Sequence, residues 1–448
     1  MFLRLSTSEK QISKSIMTIH MLEKQEAKQA KPVEAHSVND RVYIFVADGM
    51  NIGGIETLLI RMANQIADLG YRVIIVAQNG PCMESVSNKV SIIPLVANQS
   101  LFSQIKQVKV DSLTDKVKVF IWAAVPYTLV SVYKYQRHLN RKKNVESVSV
   151  SGIFGPARSM QGLSHVYDMM EHLLVLGWLP RSSVYFMSKA VQQTYVEQFG
   201  NHFANWPIHK LTLDRFDANW HPRESNELKI VSVGRIAKLK PYNFGALDVV
   251  ESFLARNIPI KWHIWGHGDE AEMLQKSILD RGLSSSVIFH GELPYSQFRQ
   301  VVLNFDLFVG MGTAALEAAS GGVPTVVALA WSRLGTYGFL DQCPADSIGE
   351  HYAGTEEKNL IDVVASYSSY SKEQRTAISL RCREAVSRKT SGDPPPFDSI
   401  FEGGVQYPSS IFVSARMKSF GLAQNVRAII KGIVNFARSA NRLVRRNV

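Results

Sequence analysis

FVGMGTAALEAASGGVPTVVA, residues 308–328, runs from an apolar segment into two early glycines, Gly310 and Gly312. Thr313, Ala314, Ala315, Leu316 and Glu317 follow, and then Gly321, Gly322 and Pro324. That order predicts strand, tight turn, helix, turn and strand. Glycines before a helix let a ligand approach the backbone. The first helical turn offers unpaired N–H groups and a positive dipole end to an anion, for which phosphate is the natural guest. Glu317, about one turn into the helix, is placed to reach hydroxyls of whatever carries that phosphate. On this stretch alone, an ordinary crossover whose small residues serve packing reads equally well.

Working outward, a second pattern of the same kind opens the ordered part of the chain. RVYIFVADG at 41–49 is a buried-strand sequence, MNIGGIE follows at 50–56, and TLLIRMANQIADLG at 57–70 is helical. Leu58, Leu59, Met62, Ile66 and Leu69 recur at helical spacing, Gly70 closes the helix, and YRVIIVAQNG at 71–80 is a second strand. This is a βαβ unit with Gly53 and Gly54 where such units meet phosphates. Further strands are expected in VSIIPL (90–95), KVKVFIWAAV (116–125) and NVESVSVSGIFG (144–155), with helices at 169–179 and 189–199. WPIHKLTLDRFDANWHPRE at 206–224 is rich in loop formers, and a domain boundary is placed within it.

The pattern then restarts. LKIVSVGRIAKLKPYN at 228–243 is strand, glycine and basic loop; ALDVVESFLARN at 246–257 is a helix; IKWHIWGHGDE at 260–270 is a strand followed by Gly266 and Gly268. A helix at 271–281, a strand in VIFHGEL (287–293) and a helix in FRQVVLN (298–304) lead to the opening stretch. Two such α/β units predict a ligand in the cleft between their strand ends. Arg235 and Lys240, five residues apart on one loop, are a guanidinium fork and a point charge suited to a leaving diphosphate; solvated loop cations are the alternative.

Composition narrows the classes. At 448 residues and 46% hydrophobic content the chain can bury two cores. The longest apolar candidate, 119–133, is 15 residues with Pro126 inside it, too short for a transmembrane helix. Residues 1–40 lack a signal-peptide pattern and are expected to be a flexible leader of a cytoplasmic protein. Cys82, Cys343 and Cys382, odd in number and widely spaced, are expected to be reduced structural thiols, and no clustered ligand set for a metal is apparent. Of the net charge of +11, residues 415–448 supply +8 with no acidic residue and the first 40 supply +1, so the body carries +2, unlike a nucleic-acid binder. Residues 391–414, with Pro394, Pro395 and Pro396, are expected to link to this tail. Leu422, Val426, Ile429, Ile430, Ile433, Ala437, Ala440 and Val444 form an apolar stripe opposite the basic residues. Such a helix suits an anionic membrane surface, or packs on the protein's own body.

The segments GGIETLLIRMANQIADLGYRVIIV (53–76), SVGRIAKLK (232–240), IWGHGDE (264–270), VIFHGEL (287–293) and GMGTAALEAASGGVP (310–324), in this order, resemble the GT-B glycosyltransferases of family 4 over about residues 41 to 390. The resemblance implies an α/β fold of two facing Rossmann-like domains with parallel sheets and an interdomain cleft. An acceptor domain at 41–205 and a nucleotide-sugar donor domain at 206–390 follow. It implies a retaining transfer of a hexose-type sugar from a nucleotide-diphosphate donor to a glycan or lipid-linked acceptor, as in capsule, lipopolysaccharide or exopolysaccharide synthesis. Carried over by position, Arg235 and Lys240 match the pair that neutralises the diphosphate. Gly53 and Gly54 match the phosphate-facing loop, and Gly266, Gly268, Gly312, Thr313 and Ala314 fall in the donor-binding segments. Glu317 matches the second glutamate of the Glu, seven residues, Glu motif, which contacts the nucleotide ribose. Val309 stands where the family has its first glutamate, near the donor sugar. The acceptor loops, WAAVPYT at 122–128 and SGIFGPAR at 151–158, offer no matching histidine or aspartate. No cofactor beyond the co-substrate is expected, and no metal, because Arg235, Lys240 and the helix dipole can stabilise the leaving group. Two other readings share the architecture: a nucleotide-sugar epimerase, whose acids cannot be located here, and a non-catalytic nucleotide-sugar-binding assembly protein docked on the membrane.

Overall fold

The structure, a computed structural model, describes residues 40–51, 53–96, 99–110, 117–123, 126–154, 184–213, 219–344, 346–352 and 354–390. The leader, the helix expected at 169–179, the 391–414 linker and the basic tail lie outside the described residues.

The first sheet contains β1 (Arg41–Gly49), β2 (Arg72–Gln78), β3 (Ser91–Pro94), β4 (Val117–Ala123), β5 (Val145–Phe154) and β6 (Val184–Phe186). All its pairings are parallel, in the order β3-β2-β1-β4-β5-β6. Helix α1 (Gly54–Asp68) crosses from β1 to β2, and α2 (Leu101–Ile105), α3 (Pro126–Leu139) and α4 (Lys189–Phe199) follow. Both faces of β1 are buried, from Val42 to Ala47, as its unbroken apolar sequence requires of a central parallel strand. Helix α3 is absent from the sequence reading: its first residue is the Pro126 that interrupts the apolar run 119–133. Proline has no N–H to lose at the first helical position, so here it starts a helix.

The second sheet contains β7 (Leu228–Val233), β8 (Ile260–Trp265), β9 (Val287–Gly291), β10 (Leu307–Gly310), β11 (Thr325–Ala328), β12 (Gly335–Phe339) and β13 (Lys358–Asn359), in the order β13-β12-β11-β10-β7-β8-β9. Its helices are α5 (Tyr242–Leu254), α6 (Ala271–Asp280), α7 (Phe298–Val302), α8 (Thr313–Ser320), α9 (Leu360–Ser368) and α10 (Lys372–Lys389). The parallel arrangement runs from β7 to β11, whereas β12 and β13 are antiparallel additions at one edge. Trp206 is buried with the first sheet's core and Trp220 with that of the second. One apolar cluster includes residues of both units, and the short turn Pro81–Ser85 lies against Tyr295–Gln297 across the cleft.

Strand order reverses between β1 and β4 in the first sheet and between β7 and β10 in the second. Crevices open at the carboxyl ends of strands at such points. Gly53 and Gly54 follow β1, Gly234 and Arg235 follow β7, and Met311 to Thr313 follow β10, so all three segments belong to these two crevices. Cys82, Cys343 and Cys382 are free and buried, and desolvation pushes their thiols up to about 11, 12 and 11.

Candidate active site between the two sheets

The floor of the second crevice is fixed by a buried polar relay. Ser232 Oγ donates to the Val309 carbonyl at 2.7 Å and accepts from Trp262 Nε1 at 2.9 Å, tying β7, β8 and β10 together. Val309 is fully buried within β10, and only Met311 and Gly312 separate that strand from α8. The Val309 side chain is therefore part of the core. Gly312 makes the turn with φ 75°, a left-handed conformation that suits glycine.

The basic loop is held by backbone contacts to the β8–α6 loop: Gly234 N–H donates to Trp265 O at 3.0 Å and Ile236 N–H to His267 O at 2.8 Å. A Cβ on Gly266 would run into the Gly234 carbonyl, and one on Gly268 would crowd Ile236 and Arg235. These two glycines thus let the loops touch. Lys240 bends back so that its Nζ lies beside Gly234. Desolvation first, and the nearby Arg235 charge second, lower its ammonium from the usual lysine range to about 8.

The opposite wall belongs to the first unit. A Cβ on Gly53 would stand 2.9 Å from Arg235 Nη2, and one on Gly54 would stand 3.1 Å from Thr313 Oγ1. The glycine loop therefore faces both the basic loop and the start of α8 directly. Ala314 is half-buried in the first turn of that helix. The structure thus brings Gly53, Gly54, Arg235, Lys240, Gly266, Gly268, Gly312, Thr313 and Ala314 to one cleft.

Glu317 is also there, but its carboxylate is already engaged. Oε1 pairs with Arg61 Nη1 from α1, with side chains only 8% and 1% exposed. Arg61 Nη1 also donates to the Tyr295 hydroxyl at 2.9 Å. Glu317 Oε2 is buried with no hydrogen-bond partner among the described residues. The sequence reading missed Arg61 and Tyr295. The signal for Arg61 was present: it follows Leu58 by three residues on the apolar side of α1, and a cation on a buried face needs an anionic partner. Glu56 was missed as well. It stands in the first turn of α1, its Oε1 3.9 Å from Arg235 Nη2, and burial raises its pKa against its own backbone N–H, Arg235 and His267. Farther along the mouth His267 Nδ1 lies 3.1 Å from Glu292 Oε1.

Residues 215–331 match the family described as Glycosyl transferases group 1. No curated protein sequence matches the chain. Among solved structures it is similar to Anabaena Alr3699/HepE in complex with UDP-glucose, at 16% identity and TM-score 0.55 over 78% of this chain and 95% of that one. It is also similar to a mutant of S. aureus TarM in complex with Fondaparinux, alpha-GlcNAc-glycerol and UDP, at 10% identity and TM-score 0.54 over 79% and 97% of the two chains. A third is the sucrose-phosphate synthase of Thermosynechococcus elongatus, at 11% identity and TM-score 0.53 over 87% and 100%. The fold is that of the GT-B glycosyltransferases, and the group 1 segment covers the second unit from before β7 to just past β11.

Proposed function

We propose that this chain, which carries the group 1 glycosyl transferase segment, is a retaining glycosyltransferase acting from a nucleotide-diphosphate hexose on a glycan or lipid-linked acceptor of cell-surface polysaccharide synthesis. One observation supports this most: the glycine loop, the basic loop and the start of α8 meet where the strand orders of both sheets reverse. In the transfer, the bond from the anomeric carbon to the diphosphate breaks, one to an acceptor hydroxyl oxygen forms on the same face, and the hydroxyl proton leaves with the departing diphosphate. Charge accumulates on the departing diphosphate. Arg235 offers a planar fork and Lys240 a point charge to it, while the α8 dipole adds a fixed positive end. In a cleft that excludes water, such preorganised groups act without a metal in this reading.

The ligands of HepE and TarM make UDP-hexoses the first donors to try. Purified full-length protein incubated with UDP-, GDP- and ADP-sugars, with and without EDTA, should release free nucleotide diphosphate from one donor class. Lys240→Ala should lower that turnover by about 10²- to 10³-fold, the loss typical of one stabilising group. A near-normal rate would refute the diphosphate role. The buried Val309 and the Arg61-bound Glu317 favour one second reading, a nucleotide-sugar-binding protein without turnover. Binding of a donor with no release from any member of the panel would select it.

A further inference from the structure

At the strand-to-helix turn of the donor crevice Val309 lies inside β10 and Met311 and Gly312 complete the turn, while Glu350, on the segment whose Ile348 carbonyl accepts from Gly312 N–H, is buried with its Oε2 accepting from Ile348 N–H. Glu317 is sealed against Arg61. Glu292 is half-exposed and already in contact with His267. Glu56, from the facing wall, lies beside Arg235.

Glu56 sits on the first turn of α1, directly after the glycine loop. Its carboxylate would be struck by a Cβ on Gly53 and lies across from Arg235, with the side chain 19% exposed. At 3.9 Å the contact with Arg235 is longer than a charge-assisted hydrogen bond, which closes to about 2.7–2.9 Å. The carboxylate has lost much of its water without gaining a tight cation in return, and its raised pKa agrees with that. If a diphosphate takes Arg235, Glu56 cannot keep that partner and faces a second anion. Hydroxyl donors are then what its oxygens need, and the group joined to the diphosphate supplies them.

We infer that Glu56 is the carboxylate that reads the donor sugar, reaching its hydroxyls from the first unit in place of a glutamate on the β10–α8 turn. This rests on the nucleotide-sugar reading above. It also gives a thermodynamic signature that a simple counter-ion of Arg235 does not. The carboxylate repels a nucleotide diphosphate, an effect that hydroxyls offset when the sugar is attached, so its removal weakens the nucleotide sugar without weakening the bare diphosphate.

The test is calorimetric titration of the full-length wild type and Glu56→Gln with UDP and UDP-glucose, or with whichever nucleotide sugar the donor panel identifies and its own diphosphate. Glu56→Gln should weaken the nucleotide sugar by about 10- to 100-fold, as expected when a charged hydrogen-bond acceptor is lost. It should leave the nucleotide diphosphate unchanged or tighter. Glu56→Asp, which keeps the charge on a shorter arm, should fall between. Equal weakening of both ligands assigns Glu56 to holding Arg235 and overturns the proposal, as does an unchanged affinity for the sugar. A wild type that binds neither ligand overturns the glycosyltransferase reading and this one with it, whereas wild-type binding with an indifferent variant removes this one alone.

Discussion

Lys240 is a cation kept next to Gly234 in a setting that disfavours its charge, and that conflict has a pH signature. With its proton lost at about 8, the free protein loses, above that point, one half of the pair proposed to neutralise the diphosphate. We expect kcat/KM for the donor to decline above about pH 8, by up to tenfold per unit, because this parameter reports groups of the free enzyme. The matching limb of kcat should lie at higher pH, since a bound diphosphate restores the proton. Lys240→Arg, charged throughout, should remove the limb. A kcat/KM that stays flat to about pH 9.5 would exclude Lys240 as the titrating group. The sign for stability is opposite. The desolvation penalty is present below about 8, where lysine is charged in folded and unfolded chains alike, and is relieved as pH rises from there towards 10.5. At this scale the sequence was partly legible: Arg235 and Lys240 stood out by charge and loop position. Glu56 did not, because an acidic residue in a first helical turn is equally explained by the helix dipole.

Helices α1 and α8 come from different units, and the buried pair of Arg61 and Glu317 fastens one to the other. Two desolvated charges in one place add little net stability, but breaking such a pair on one side leaves a buried charge uncompensated. Arg61→Met should therefore destabilise the protein by about 3–5 kcal/mol in denaturant or thermal unfolding. Adding Glu317→Leu should recover most of the loss. A single-variant loss below about 1 kcal/mol would mean that the cleft opens readily and water rescues the carboxylate. Helix periodicity announced both helices, and small residues announced the tight turn before α8. Neither could announce that they touch, because their residues lie 256 positions apart. The GxG at 266–268, weak as a motif, acquires a reason only from packing: Gly266 is bare because the Gly234 carbonyl fills the space where a Cβ would stand.

At the scale of the molecule, two α/β units meet across a cleft, and no helix among the described residues is long and apolar enough to cross a membrane. Residues 415–448 carry eight basic and no acidic groups, a charge suited to an anionic surface. Near such a surface each is worth about 1 kcal/mol at moderate ionic strength. Removing 415–448 should release the protein from vesicles containing anionic lipid in a sedimentation assay, while leaving its melting temperature unchanged. Loss of solubility on truncation would instead mean that the apolar stripe completes the body's own core. The sequence by itself determined the two βαβ series, the glycine loops and the basic loop, because apolar periodicity, glycine and local charge act between near neighbours in the chain. The edge strands β12 and β13 and helix α3 escaped it, since edge pairing depends on what is already folded and the proline of α3 resembled a break. Only the tertiary structure decided which charges meet. Val309 is buried and Glu317 is bound to Arg61, while Glu56 faces Arg235, because burial and ion pairing between units are set by how the two sheets pack. The stretch at 308–328 thus announced a strand, a tight turn and a helix start from its own residues, and the facing wall supplied what they meet.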